Sequence, residues 1–400
     1  MRLYNSKSRS VEDFTVRDGH VGIYVCGVTP YDTTHSGHAF TFLTFDILVR
    51  YLRHMGIDVT YVQNVTDIDD DILRKAREVG MNWRELADQE IRKFLQDMRD
   101  LHAVPFDHYT AATDHVTEMQ DIIARLISKG LAYVVNGSVY FEVRKDPGFG
   151  KLSQLDLGEM LPIANERGNN PDDPNKRDPL DFVLWQAGAP GEPTWESPWG
   201  PGRPGWHIEC TAMATKYLGQ TIDIHGGGED LIFPHHECEI AQAENATGVE
   251  PFARFWIHVA MVNYQDEKMS KSLGNLVLAH ELLKSYSADA IRLYLFSHHY
   301  RTVWEFFNEE MEYWNKVSKT LGAARHRETG PSPDSIDLDC YRSSFIRSIE
   351  NDLDTPAAIQ QLVHLGDDIL AAPKDTDLTK TQACLEELAG IIGLTLENQV

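Results

Sequence analysis

Val21-Gly-Ile-Tyr-Val-Cys26, followed by Gly27-Val-Thr-Pro-Tyr-Asp32, decides the fold. The first six residues are a short apolar run of strand type, and the next six turn the chain. A helix follows to about His54, with apolar positions at Phe42, Phe45, Leu48, Val49 and Leu52. Val59 to Val65 is a second strand, ending in Thr66-Asp-Ile-Asp69. Strand, loop, helix and strand at this spacing open a doubly wound α/β fold with a parallel crossover. Ligands of such sheets bind beyond the carboxyl ends of the strands, which makes 27–37 the first place to look for chemistry.

The rest of the chain divides around this unit. Helical patterns at Trp83 to Arg99 and Ala111 to Lys129 complete the first half of a Rossmann-like domain, 1–130. Leu131 to Val143 reads as a β-hairpin turning at Asn136-Gly137. Residues 144–204 are rich in Gly, Pro, Asp and Trp, so 131–204 is expected to be an inserted module of short strands and loops. Gly205-Trp-His-Ile-Glu-Cys210 resumes the domain and opens a helix to about Tyr217. Its second half, 205–265, holds strands at Thr221 to Ile224 and Phe255 to Met261. Between those strands a glycine loop leads into a helix ending near Asn245. Residues 266–300 form a loop with connecting helices, and 301–400 reads as a helical bundle. Asp354-Thr-Pro356 caps one of its helices with proline in the first turn.

Four hundred residues with 42% apolar content suffice for a large core. No charged-then-apolar leader and no run of eighteen apolar residues is present, and the five cysteines are scattered. A reducing, cytoplasmic setting is the expectation. A net charge of -24 argues against broad nucleic-acid affinity but not against a local basic groove.

Three groups of residues can carry chemistry. Thr34-His-Ser-Gly-His38 stands at a helix start, where Gly37 lets a ligand lie against the backbone and the helix end favours negative charge. His35 and His38 share one side of a turn and can donate to phosphate oxygens; alone, they are ordinary polar residues at a helix start. Lys268-Met-Ser-Lys-Ser272 suits a clamp on a triphosphate, although a Lys/Ser loop is ordinarily just solvated. Asp223-Ile-His-Gly-Gly-Gly-Glu-Asp-Leu-Ile-Phe-Pro-His-His-Glu-Cys-Glu239 places His235 and Glu239 four apart on one helical face, a spacing that can share a metal.

Taken together these segments resemble a known superfamily. His35-Ser-Gly-His38 is similar to the HIGH signature, with Ser where Ile is usual, and Lys268 to Ser272 matches KMSKS at every position. Their order resembles that of the class I aminoacyl-tRNA synthetases. Tyr24-Val-Cys-Gly27, Tyr61 to Asp69, Lys176-Arg-Asp-Pro-Leu-Asp181, Gly205 to Cys210 and the glycine run resemble cysteinyl-tRNA synthetases. They equally resemble the related cysteine:glucosaminyl-inositol ligases (MshC) of mycothiol synthesis. The resemblance spans essentially the whole chain.

It implies a set of roles. Cys26, Cys210, His235 and Glu239 would hold one zinc ion that recognises substrate cysteine through its thiolate. Glu239 is either a permanent ligand or a position that yields to the substrate. His236 and Cys238 read as neighbouring spectators, Cys238 being a possible substitute ligand. ATP, with Mg2+, would lie between His35/His38 and Lys268/Lys271, with Gly37 and Ser270 beside it and Gly226, Gly227 and Gly228 under the nucleoside. Asp230 would accept from the ribose, unless it is a helix cap. Gly27, Thr66 and Trp206 would hold the amino acid. Cysteine adenylation with release of pyrophosphate is the implied chemistry.

The acceptor divides the resemblance. Gly150-Lys-Leu-Ser153, Asp178 to Trp185 and Lys268 to Asn275 resemble the tRNA ligases. Thr29 to His35 and Glu166 to Arg177 resemble the aminosugar ligases. The sequence stops at Val400 after the bundle, where an anticodon-binding domain would be expected to follow. The expectation is therefore transfer to the amine of glucosaminyl-inositol, with tRNA(Cys) as the alternative acceptor. A non-catalytic synthetase-like binder is a third reading, opposed by the intact His35, His38, Lys268 and Lys271.

Overall fold

The computed structural model describes residues 1–31, 34–265, 267–268 and 275–397, with backbone only at 267–268. In chain order, a hairpin of β1 (Arg2–Asn5) and β2 (Ser10–Asp13) precedes β3 (His20–Val28), α1 (Ser36–His54) and β4 (Asp58–Val65). Next come α2 (Asp70–Val79), α3 (Trp83–Asp100), β5 (His108–Ala111) and α4 (Val116–Ser128). Then follow β6 (Ala132–Val135), β7 (Ser138–Phe141), α5 (Leu157–Glu166), β8 (Phe182–Ala187) and β9 (Gly202–Pro204). The sheet domain resumes with α6 (Trp206–Leu218), β10 (Ile222–Gly228), α7 (Glu237–Thr247) and β11 (Ala253–Val259). Short elements β12 (Val262–Tyr264), β13 (Glu267–Lys268), α8 (Ala279–Leu282), α9 (Ala288–Phe296) and β14 (Trp304–Glu305) lead on. The bundle is α10 (Asn308–Arg325), α11 (Leu338–Glu350), α12 (Thr355–Ala371) and α13 (Thr379–Ile391).

The central sheet has the order β11-β10-β3-β4-β5, and every pairing in it is parallel. From β3 the chain builds outward to β4 and β5, then returns on the other side as β10 and β11. The switch point therefore lies between the carboxyl ends of β3 and β10, where open α/β sheets bind ligands. Alternation along β3 sends Val21, Ile23 and Val25 into the core beneath α1 and the bundle. Tyr24 and Cys26 go instead into the core shared with α4, α6 and α7.

The sequence reading misses several elements. Residues 226–228 are not a loop but the last residues of β10, paired through Val259. Glycine is required there for packing: a Cβ on Gly226 would fall 2.1 Å from the Phe45 ring and 2.9 Å from the Ile257 carbonyl oxygen. Edge strand β5 and helix α2 were not foreseen, because His108-Tyr-Thr-Ala111 is too short to show a period. The hairpin β6-β7 is extended by β8 and β9 into a four-stranded antiparallel sheet. Within the loop-like stretch lies α5, started by a capping box between Asp156 and Glu159. Among the described residues no helix is long and apolar enough to cross a membrane.

One buried ion pair fastens the bundle to the sheet domain. Arg292 of α9 is fully buried and bonds Asp46 of α1, the Leu101 carbonyl (2.9 Å) and the Ile392 carbonyl (2.9 Å). Removing Arg292 leaves Asp46 with Arg50 as its remaining cation and takes a donor from the Leu101 and Ile392 carbonyls. Arg292→Met is expected to lower the unfolding free energy by about 1–3 kcal/mol in urea titrations.

Candidate functional site

Four side chains from four elements meet at the switch point. Cys26 arrives from the end of β3, Cys210 from α6, and His235 and Glu239 from the turn and helix after β10. One ligand atom from each lies within 4.8 Å of all the others. Glu239 Oε1 stands 3.4 Å from Cys26 Sγ and 3.1 Å from His235 Nε2. All four residues are buried. The segment reaching α7 is not regular helix. A 3-10 turn at Glu229–Leu231 and a wide turn at Ile232–His236, with Phe233 extended, carry His235 into the pocket before α7 begins.

Burial sets the protonation of these donors. Burial, reinforced by Cys210 and then Glu239, pushes the Cys26 thiol well above the usual thiol range, and burial raises Cys210 as well. Burial likewise holds His235 and His236 well below the usual imidazole range, so both rings are in the neutral form that ligates metals. Two thiols, one neutral imidazole and one carboxylate make a donor set suited to a soft, four-coordinate ion such as Zn2+.

His236, expected as a neighbouring spectator, lies within reach of the same donors. Its Nε2 stands 3.3 Å from Cys26 Sγ and its Nδ1 2.7 Å from His258 Nε2, itself 2.7 Å on its other nitrogen from Ser6 Oγ. With His225, whose Nε2 is 2.9 Å from Glu239 Oε2, it forms a second group of metal-competent atoms: Cys26, His225, His236 and Glu239. His225 escaped the sequence reading because it precedes three glycines within a strand, where helical spacing to Glu229 brings nothing together. Behind the first group, His207 Nδ1 meets His235 Nδ1 at 2.9 Å, and the Trp206 ring stacks on His235 at 4.5 Å. Cys238 is buried and belongs to neither group.

The phosphate-facing candidates lie along the same sheet edge. His35 is the N-cap of α1, its Nδ1 accepting from Gly37 N (3.1 Å) and His38 N (3.4 Å). A Cβ on Gly37 would sit 2.9 Å from that imidazole, so glycine permits the cap. The His35 and His38 rings stack at 3.8 Å. Backbone bonds clamp this start to the segment after the lysine-rich motif: Ser36 N donates to Val277 O (2.8 Å) and Ala279 N to Thr34 O (2.9 Å). Lys268 pairs through its backbone with Asn263. Ser270 and Lys271 lie outside the described residues.

The remaining candidates surround the pocket. Gly27 N donates to Asn64 Oδ1 at 2.8 Å, and a Cβ there would fall 1.7 Å from the Asn64 carbonyl oxygen. Thr66 is buried and donates its N–H to Val28 O at 3.1 Å. Gly227 lies against Leu231 and His236, and Gly228 against Asp230. The carbonyls of Asp230 and Phe233 both accept from Arg167 at the end of α5, so the inserted residues hold the turn that carries Asp230 and His235.

A parallel sheet with metal-competent residues at its switch point, a histidine-capped first helix and, bonded back to that helix start, the segment that follows the lysine-rich motif define a class I aminoacyl-tRNA synthetase core. Solved structures agree at the level of fold. The chain is similar to methionyl-tRNA synthetase of Mycobacterium tuberculosis in complex with methionyl-adenylate (TM-score 0.66, 14% identity, 94% of this chain and 91% of that one). It is also similar to a leucyl-tRNA synthetase of Agrobacterium radiobacter K84 (TM-score 0.68, 10% identity, 95% and 84%). Sequence relatives are nearer. A cysteine--tRNA ligase of Dehalococcoides mccartyi is 45% identical over 401 residues, covering 99% of this chain and 86% of that protein. An L-cysteine:1D-myo-inositol 2-amino-2-deoxy-alpha-D-glucopyranoside ligase of Thermomonospora curvata is 44% identical over 374 residues, covering 92% and 89%. The family model described as the tRNA synthetases class I (C) catalytic domain matches residues 13–316, and the chain belongs to that family.

The two overlapping donor groups make different predictions. If the thiol-rich group holds the ion, Cys210→Ser loses most of the bound zinc while His225→Ala retains it, measured by elemental analysis after dialysis. Loss in His225→Ala with retention in Cys210→Ser would assign the ion to the histidine-rich group.

Proposed function

We propose that this chain activates cysteine with ATP and transfers it to tRNA(Cys). The observation that carries the first half is the convergence of Cys26, Cys210, His235 and Glu239 beside the His35–His38 helix start. A zinc ion bound there would supply a soft centre that accepts a thiolate sulfur and discriminates against a hydroxyl.

The chain's own residues would do the rest. Thr66 and Trp206 flank the pocket and orient the amino acid so that its carboxylate faces α1. A carboxylate oxygen attacks the α-phosphorus of ATP, and the α,β-bridging oxygen leaves with pyrophosphate. His35 and His38 donate to phosphate oxygens as charge builds there, with Lys268 and Lys271 gathering the leaving group. Gly226 to Gly228 present a strand end without side chains to the nucleoside, and Asp230 accepts from the ribose. Mg2+ accompanies the triphosphate. Positioning and charge stabilisation carry the rate, with no covalent enzyme intermediate. In the second step an acceptor oxygen attacks the cysteinyl carbonyl and AMP leaves.

The acceptor expected from the sequence was the aminosugar amine. What supports tRNA instead is the extent of likeness: identity to a cysteine--tRNA ligase runs over 99% of the chain, bundle included. The aminosugar acceptor remains the second reading because two such ligases are 44% and 46% identical over 92% and 90% of the chain.

Cysteine-dependent exchange of labelled pyrophosphate into ATP is expected, and its absence with zinc and Mg2+ present would refute the activation step. With labelled cysteine and ATP, label should be recovered on tRNA; recovery only on glucosaminyl-inositol would replace the acceptor and leave the activation step standing.

A further inference from the structure

The turn between β10 and α7 carries two candidates of different kinds, Asp230 for the ribose and His235 for the metal. Its path is irregular, and Phe233 between the two is extended (φ -138°, ψ 135°). Strand and helix fix the two ends of such a turn. Its middle lacks a regular ladder of its own and needs outside contacts to keep one path.

Those contacts come from the segment between β7 and β8. Arg167, at the C-terminal end of α5, donates from Nη1 to the carbonyls of both Asp230 and Phe233. The helix that presents it is anchored at both ends. Asp156 and Glu159 form the capping box at its start, and beyond Arg167 the Asn169 amide donates to Pro179 O at 3.1 Å. Neighbouring residues of the same segment grip the flanks of the turn. The Phe149 ring meets Phe233 edge-on at 6.3 Å, and Leu152 N and Ser153 N donate to the Glu237 carboxylate at 3.1 and 2.7 Å. Lys151 pairs with Glu244 further along α7. Arg167 is itself exposed, so it fills no core. A guanidinium shared by two carbonyls fixes the spacing of their peptide groups through charge-assisted bonds.

We propose that Arg167 is a positioning residue: by bridging the Asp230 and Phe233 carbonyls, it holds the nucleotide-side and metal-side candidates in place together. Ion retention and nucleotide binding then depend on one contact from a segment that belongs to neither site. The assignment rests on the roles proposed for Asp230 and His235.

Two measurements that need no turnover test it: the rate at which a colorimetric chelator strips zinc, and the Kd for ATP with Mg2+ from titration calorimetry. Arg167→Ala should speed zinc release roughly 10-fold and weaken ATP binding roughly 3- to 10-fold. Its Tm should stay at the wild-type value, because the side chain is exposed. Arg167→Lys replaces the planar fork by one compact ammonium and should recover part of both effects. Wild-type values for both in Arg167→Ala would overturn the proposal. So would a change in one alone, which leaves the two candidates uncoupled, or a change in both with a matching fall in Tm. Should the alanine variant not fold, Arg167→Lys is judged by the same two measurements, and wild-type values for both would overturn the proposal. A wild type without cysteine-dependent pyrophosphate exchange would sink the activation reading, while zinc release and ATP binding would still judge Arg167.

Discussion

The buried pair between Asp46 and Arg292 is the constraint on which the rest of the architecture depends. Asp46 lies on α1, about three turns after the His35 cap, and also accepts from Val104 N at 2.7 Å and from Arg50. Arg292 lies on the helix that follows the lysine-rich segment. The contact therefore joins α1 to the chain that follows the lysine-rich motif. Gly393 lets the C-terminal chain reach it, since a Cβ there would fall 2.2 Å from the guanidinium. A desolvated ion pair contributes little net stability, but it tolerates few alternative arrangements. With the backbone bonds between residues 34–36 and 277–279, it fixes α8 and α9 to α1 at two points.

That rigidity is useful because the pocket is assembled from distant sequence. Cys26 and Glu239 are separated by most of the sheet, and only the pairing of β10 beside β3 brings them together. The pairing in turn requires Gly226, because α1 packs Phe45 against the sheet at that position. One glycine thus serves both the packing of the first helix and the pairing of the strand end with β11.

Much of this was legible in the residues. The opening strand, turn, helix and strand fixed a parallel sheet because parallel neighbours need a crossover. The pair His235 and Glu239 was legible from helical spacing, even though His235 lies in a distorted turn. What was not legible depends on three-dimensional neighbours. His225 and His236 become metal-competent only through Cys26 and Glu239, and no spacing rule connects them. Arg167 reaches the carbonyls of Asp230 and Phe233 from a stretch that reads as featureless loop.

On the proposed reading, an ion in this donor set would also explain why cysteine is the amino acid that fits. A pocket selecting by shape would struggle to separate cysteine from serine, which differ by one atom of similar bonding geometry; differences of that size in an apolar site yield modest discrimination. A soft ion replaces the shape test with a bonding test: thiolate sulfur is a strong ligand and a neutral hydroxyl a weak one. For the test to work the ion must be buried, so that water does not compete on equal terms, and its ligands must be held from behind. Both conditions are visible. Cys26, Cys210, His235 and Glu239 are all buried, and His207, His225 and Trp206 pack or bond against the ligating side chains from outside the cluster. With an ion held there, discrimination would fall to the metal side of the pocket and leave the His35–His38 side free for adenylation.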